Sequence, residues 1–233
     1  MKRLLIIYLV SVASLNAQIS EISLTGNYTT SSKLFLHPES SNLDMKYVYE
    51  ELNDIYSLSG EIRYCLSESI ETALAFEMIR KTIARDDFNL NGAAISIEEG
   101  YKLYPIDLSV YYRLPFSSDK FKFFMGGGIG VYIGKMIRNV VNVSTENAGF
   151  NIDFGIQASL GIDYYINDKI ALRGHIRFRD PEIKLKSKYT DAFVNYEGRI
   201  YLLYPDEYTT KVNIDGITFG VGIVVNLVGI MPF

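Results

Sequence analysis

The stretch FNIDFGIQASLGIDYYI, residues 150–166, places an apolar or nearly apolar side chain at every even position from Phe150 to Ile166. The odd positions carry mostly Asn, Asp, Gln, Ser and Gly. Strict alternation predicts a β-strand, because successive side chains of a strand point to opposite faces. Strands in soluble domains usually run about five or six residues. An apolar face of this length must therefore lie against either a protein core or lipid.

The same alternation recurs along the chain and predicts eight strands, with no convincing amphipathic helix. Residues 75–86 could also form one or two helical turns, but strand parity explains Phe76 and Met78 equally well. Each predicted strand is a set of apolar residues at every second position, and the eight sets begin at Ile22, Tyr56, Ile70, Tyr104, Phe121, Phe150, Ile170 and Ile217.

Short and long connections alternate between these strands. Short turns at one end and long loops at the other are typical of an outer-membrane barrel. In the last long connection, KLKSK (184–188) and RIYLLY (199–204) could form a hairpin that extends strands beyond the membrane. If these residues faced lipid instead, the count would become ten. The short connections are 67–69, 115–119 and 167–169, and the long ones are about 31–54, 80–101, 136–148 and 180–212.

Three features favour lipid over water outside this barrel. The apolar sets run for about nine to eleven residues, the length that a tilted strand needs to cross a bilayer. Tyrosines such as Tyr28, Tyr104 and Tyr164 cluster at the ends of the sets, as an aromatic girdle would. The polar face is rich in Gly, which weakens a solvent-facing strand but makes room inside a narrow barrel. We predict an all-β fold for residues 18–233: a transmembrane antiparallel up-and-down β-barrel with eight strands, in the cell outer membrane.

The N-terminus reads as a secretory signal peptide, residues 1–17 of the 233. Lys2 and Arg3 precede an apolar run that is too short to span a membrane as a helix, and Ala17 offers a cleavage point. Cleavage leaves 21 Lys+Arg against 27 Asp+Glu, an acidic balance that argues against nucleic acid as a partner.

Two long segments, LYPIDLSVYYRLPFSSDKFKFFMGGGIGVYIG (103–134) and NIDFGIQASLGIDYYINDKIALRG (151–174), together with the end of the chain, carry a family resemblance. The chain resembles the small outer-membrane barrels of the OmpA-type, OmpX-like class, and is most similar to the Bacteroidetes-style "outer membrane protein beta-barrel domain" families. The resemblance implies that the assembly machinery of the outer membrane reads the terminal Phe233, although Pro232 departs from the strand pattern.

Candidate catalytic and cofactor residues all favour non-catalytic interpretations. The glycines of GGGIGVYIG (126–134) sit within a strand with no helix after them, which argues against a nucleotide loop. His175 is on the inward parity and has no Ser nearby, and Cys65 falls in a strand-like stretch. We therefore predict no catalytic residue and no cofactor, and expect that the protein is not an enzyme.

A calcium site is a weaker hypothesis for DFNLNGAAISIE (87–98). Asp87, Asn89, Asn91, Gly92 and Glu98 match the spacing of a calcium-binding loop. The alternative is the Asn/Gly-rich tip of a hairpin, and no metal ligand is assigned.

The inward parity carries six acidic and six basic side chains, so a charge-paired lumen is expected. A three-residue turn at 167–169 places Asp163 across from Arg173 and Ser159 across from Arg177. The glycines of the fifth and eighth strands should then let the guanidinium groups reach Asp153 or Glu71. The inward charges are Glu61, Arg63, Glu71, Glu77, Asp107, Arg113, Lys122, Asp153, Asp163, Arg173, Arg177 and Arg179.

These features predict an outer-membrane barrel with a plugged polar lumen and a structural or surface-interaction role through its long extracellular loops. An eight-stranded lumen is nearly filled by side chains, which disfavours a water-filled channel. The alternative is a small-solute pore or conduit across the outer membrane. Outer-membrane lipid is the expected surrounding, and the sequence names no extracellular ligand.

Overall fold

Thirteen strands and one short helix form the part of the chain that the structure, a computed structural model, describes: residues 18–90, 92–203 and 207–227. The expected signal peptide and Phe233 lie outside these residues. No helix among them is long and apolar enough to cross a membrane. The elements are β1 (Gln18–Phe35), α1 (Leu43–Lys46), β2 (Tyr49–Cys65), β3 (Ile70–Leu90), β4 (Ala93–Arg113), β5 (Phe121–Val140), β6 (Thr145–Asn147), β7 (Ile152–Tyr165), β8 (Ile170–Arg179), β9 (Glu182–Tyr189), β10 (Phe193–Tyr196), β11 (Arg199–Leu202), β12 (Glu207–Asn213) and β13 (Ile217–Asn226).

Eight of these strands form a closed antiparallel ring. The ring runs β1-β2-β3-β4-β5-β7-β8-β13, and β13 returns to pair with β1 from Glu21↔Asn226 to Thr29↔Thr218. The prediction of eight strands is confirmed. The ten-strand alternative is wrong, because β9, which contains KLKSK, pairs with β12 beyond the ring, and β11 pairs only with β10 in a separate hairpin.

The outer face of the ring is apolar, as the parity predicts. Leu24, Ile129 and Val221 expose 58%, 60% and 73% of their surface, although each lies within a paired strand. A closed ring has no free edge, so it can satisfy its backbone hydrogen bonds in a medium that offers no partners. The exposed apolar band is therefore the surface that lipid covers.

The two ends of the barrel differ greatly. At the lower end, short turns join β2 to β3, β4 to β5 and β7 to β8, and the Leu227 N–H donates to Ser20 O at 2.8 Å. At the upper end, β3 and β4 continue to a tight turn at Gly92, whose φ is +97°. Both ends of the described chain thus lie at the lower end.

The expectation of long loops at the upper end is wrong for most of their residues. Strands continue through much of 31–54, 80–101 and 136–148. The alternation inverts there: Ile79 and Leu103 point inward and are fully buried, while Arg80 and Lys102 point outward. The inward parity of β2 also changes between Ile55 and Leu52, which are both buried and lie on either side of Asp54, whose φ is +56°. The apolar residues therefore lie on the outer face below this height and on the inner face above it. A pattern of outward apolar residues does not identify the upper parts of these strands.

The height at which the outer face of the barrel changes from apolar to polar can be tested on β3 alone. Leu74 and Thr82 lie on the same outer face of β3, below and above the inversion. We expect Leu74→Arg to lower the free energy of unfolding by about 2–4 kcal/mol, because it places a charge in hydrocarbon. Thr82→Arg should change it by less than about 0.5 kcal/mol. Urea unfolding in lipid vesicles measures both, and equal losses would contradict the boundary.

Candidate functional site in the barrel lumen

Arg173 of β8 is the centre of a lower layer of charge in the lumen. Its side chain is 2% exposed and reaches carboxylates on three other strands. The guanidinium donates to Asp163 Oδ1 at 2.7 Å, to Glu21 Oε2 at 2.8 Å and to Glu61 Oε1 at 2.8 Å. One cation therefore ties β1, β2, β7 and β8 together across the barrel.

A second guanidinium, Arg63 of β2, lies beside this centre. Its Cζ sits 4.1 Å from the ring centroid of Tyr111 and 4.2 Å from that of Phe124. It donates to Glu61 at 2.7 Å and to Glu71 at 3.3 Å. The two aromatic rings exclude water from the cation and contribute cation–π attraction.

The upper layer of charge lies on β3, β4 and β8. Glu77 accepts hydrogen bonds from Arg177 and Arg179, each at 2.8 Å. Asp107 lies 3.5 Å from Arg177 Nη1, and neither of its carboxylate oxygens accepts a hydrogen bond from the described residues. The Arg177–Asp107 contact is therefore an ion pair without hydrogen bonding, and Glu77 is the main anion of this layer.

Side chains leave little free space between the layers. The pocket beside Arg173 and His175 has a volume of about 20 Å³, which is room for about one water molecule. The glycines of the inner face open space chiefly for aromatic rings: a Cβ at Gly161 would lie 2.2 Å from the Phe124 ring, and one at Gly220 2.3 Å from His175. The sequence pattern instead predicted that Arg and Lys side chains would occupy the space beside these glycines.

Above the membrane band the lumen is apolar. Tyr101 and Tyr132 are fully buried there, and the Tyr101 hydroxyl lies 2.7 Å from Ser32 Oγ. This core resembles the interior of a soluble protein rather than a water-filled passage. Its members are Leu34, Leu52, Ile55, Ile79, Tyr101, Leu103, Tyr132, Met136, Ile183, Leu185, Val212 and Ile214.

A further ionic contact lies above the apolar core. Arg138 binds Glu99 and packs over the ring of Tyr208, with 4.6 Å between its Cζ and the ring centroid. Burial by itself lowers the pKa of Arg138, but Tyr208 and Glu99 outweigh it and hold the pKa above its ordinary value. Burial raises the pKa of Tyr208. Arg138 therefore stays charged and Tyr208 neutral at physiological pH.

The register derived from the 167–169 turn is confirmed. Asp163 pairs with Arg173, and Ser159 pairs with Arg177. The expected reach of Arg173 and Arg177 to Asp153 or Glu71 is wrong, because nearer carboxylates take both guanidinium groups.

Asp153 and Glu71, the two carboxylates expected to bind these arginines, have other partners. Asp153 accepts the backbone N–H of Lys184 at 2.7 Å, where β7 passes β9. Glu71 binds Arg63 and Arg113. Sequence reasoning missed Glu21, whose odd number gives it the inward parity of β1 but which lies just before the first apolar residue counted, Ile22. With Glu21 in place of Asp153, the inward charges below the apolar core again number six of each sign.

The calcium spacing at 87–98 forms a hairpin instead. Asn89 pairs with Ala94, and its Oδ1 accepts the Gly92 N–H at 2.7 Å. Glu98 lies opposite Ala84, well down β4, and accepts from Asn139 at 2.7 Å. The register thus separates Glu98 from the turn, and the described residues contain no cluster of three metal-binding side chains. The side chain of Asp87 and all of Asn91 lie outside the described atoms.

Known structures share this architecture. The chain is similar to the outer membrane protein OprG from Pseudomonas aeruginosa, with 12% identity, 90% of this chain and 96% of that chain covered, and a TM-score of 0.56. It also matches Neisserial surface protein A, with 12% identity, 90% of this chain and 97% of that chain covered, and a TM-score of 0.48. A third match is the attachment invasion locus protein Ail of Yersinia pestis, with 11% identity, 90% of this chain and 99% of that chain covered, and a TM-score of 0.45.

The fold is that of a small outer-membrane β-barrel. The apolar outer band is the surface such a barrel presents to lipid, so the chain is assigned to the cell outer membrane. No protein-family model matches the sequence, and no curated protein matches it either. The likeness to OprG thus concerns the fold alone.

The lower charge layer generates a stability prediction. Replacing Arg173 by Met leaves Glu21, Glu61 and Asp163 without their shared cation. We expect the free energy of unfolding to fall by about 3–5 kcal/mol, because breaking a buried ion pair strands uncompensated charge. Urea unfolding in lipid vesicles, followed by tyrosine fluorescence, measures the loss.

Two companion variants make the result specific. Arg199→Met removes an exposed guanidinium from β11 and should change stability by less than about 0.5 kcal/mol. Adding Asp163→Asn to Arg173→Met removes one stranded carboxylate and should recover part of the loss. A single and a double variant of equal stability would contradict the pairing.

Proposed function

We propose that this chain is a closed, non-catalytic outer-membrane barrel of the OmpA-type, OmpX-like class that supports surface interactions at its upper end. The observation that carries the proposal is the succession of filled levels along the barrel axis. Two layers of paired charge, around Arg173 and Glu77, lie within the membrane band, and an apolar core around Tyr101 and Tyr132 follows above them. An ion would have to displace all three levels to cross.

The upper end supports the surface role. The β10–β11 hairpin, named here the tip hairpin, packs Val194 against an apolar cluster that also contains Val140 and Leu203. Its other face stays in solvent, where Phe193 pairs directly with Leu202 and both side chains are exposed. A rigid barrel that ends in an exposed apolar face suits contact with another molecule outside the cell.

A conduit for small solutes is the second candidate, and one pocket favours it. A space of about 300 Å³ opens in the wall where β8 ends at Arg179, lined in part by Ile156 and Phe178. Behind this stretch of wall, Pro181 packs so closely on Gly155 that an added Cβ would lie 2.9 Å away. A solute entering the lumen here would have to move Pro181, so we favour the closed barrel.

Conductance in planar bilayers separates the two functions. We expect the purified mature protein to show no steady, ion-selective current, because side chains block its lumen at several levels. The positive control removes large side chains from all three levels, after gel mobility has shown that the variant folds. The residues replaced by Ala are Arg63 and Arg173, Glu77, Arg177 and Arg179, and Tyr101 and Tyr132. A steady current through the unmodified barrel would contradict the proposal and favour the conduit.

Orientation can be tested by chemical labelling. Outer-membrane barrels have short turns in the periplasm and their longer extensions outside. In a Cys65→Ser background, Asn195→Cys in the tip hairpin should react in intact cells with a maleimide-linked polyethylene glycol too large for porins. Glu68→Cys, in the exposed turn between β2 and β3, should react only after the outer membrane is permeabilised. The reverse pattern would contradict the orientation.

A further inference from the structure

Three cations form a row on the outer surface of neighbouring strands. Arg80 of β3 pairs directly with Lys102 of β4, and Lys102 pairs directly with Lys135 of β5. All three have the outward parity of their strands. Side chains that face each other across antiparallel strands have Cβ atoms about 4.5–5.5 Å apart. The row is therefore a compact strip of positive charge.

Such a row is unfavourable without an anion. Like charges placed directly opposite on a sheet destabilise it. Arg80 Nη2 lies 3.8 Å from Glu98 Oε1, and Lys102 Nζ lies over the Tyr104 ring at 5.0 Å from its centroid. Lys135 makes no ion pair or hydrogen bond within the described chain. One carboxylate thus faces three cations, and it is shared with Asn139.

Three other lysines on the upper part of the barrel each have a carboxylate partner, whereas Lys184 and Lys186 of β9 are exposed and make no ion pair among the described residues. Lys33 binds Asp215 at 2.6 Å, Lys211 binds Glu182 at 3.0 Å, and Lys188 binds Glu146 at 3.2 Å. The Arg80–Lys102–Lys135 row differs from Lys33, Lys188 and Lys211, because each of those three has a carboxylate of its own.

The row lies at the upper edge of the apolar band. Immediately below it on the same outer faces are Met78, Tyr104 and Ile133, and Tyr104 stacks on Phe76 with 6.1 Å between ring centroids. An aromatic girdle marks the level at which hydrocarbon gives way to headgroups. At the lower edge, the same three strands carry uncharged residues in the directly paired row Ile70, Tyr112 and Met125.

We propose that the Arg80–Lys102–Lys135 row binds the phosphate groups of the phosphorylated glycolipid in the outer leaflet. Phosphate supplies the anion that the row lacks, at the height where lipid phosphates lie. Lysine and arginine stems reach along the apolar surface while their charged ends extend to the headgroups. In cells this site requires the proposed orientation, but binding to purified lipid does not, so the two can fail separately.

Native mass spectrometry of the mature protein with diphosphoryl lipid A in mixed micelles tests the proposal. Removing one surface cation costs about 1 kcal/mol of attraction to anionic lipid, which is about fivefold in affinity. We expect Arg80→Gln/Lys102→Gln/Lys135→Gln to weaken lipid A binding by at least about tenfold. The matched control, Lys33→Gln/Lys188→Gln/Lys211→Gln, removes the same net charge from paired lysines and should retain most of the binding.

Two further binding measurements identify the chemical group that the row binds. Lipid A stripped of its phosphates should bind as weakly to the unmodified protein as intact lipid A does to the row variant. Millimolar inorganic phosphate should not displace intact lipid A. If the control loses as much affinity as the row variant, if stripped lipid A binds equally well, or if inorganic phosphate displaces the lipid, the proposal is wrong. Should the triple variant not fold, Lys135→Gln carries the same test, with an expected loss of about fivefold.

Discussion

Lipid offers no hydrogen-bond partner to a peptide group, and the pairing of β1 with β13 is how this chain meets that constraint. Once the ring closes, every transmembrane strand has two neighbours and no edge remains. Closure with eight strands also fixes a narrow lumen. The inward side chains must then satisfy one another, because too little room remains for bulk water. The charge layers around Arg173 and Glu77 follow from ring size as much as from their own chemistry.

Paired charge in this lumen should be regarded as a means of specifying structure. A buried ion pair often contributes little net stability, since desolvation offsets the attraction, yet removing one partner is costly. Arg173 reaches carboxylates on β1, β2 and β7, so a slip of any of these strands by one residue would turn its partner toward lipid. The network therefore penalises incorrect registers more strongly than it stabilises the correct one.

The parts of the structure that sequence alone could predict are those governed by local geometry. The strand count follows from period-two alternation, and the Asp163–Arg173 pair follows from one short turn. Contacts among side chains from distant strands, such as Arg173 with Glu21, depend on how the ring closes, which no local pattern encodes. The upper strands were missed for another reason. Their apolar residues changed to the inner face, and alternation alone does not reveal which face meets water.

The inversion at Ile79 and Leu103 also determines how the barrel sits across its bilayer. A shift along the axis in one direction would bring Arg80 and Lys102 into hydrocarbon, and a shift in the other would expose Phe76 and its neighbours to water. Charges on the lipid face are costly, by about 2–4 kcal/mol at the bilayer midplane. Thinning or thickening a bilayer costs only fractions of a kcal/mol per ångström of mismatch. A membrane of unsuitable thickness would therefore deform around this barrel, and the barrel would keep its depth.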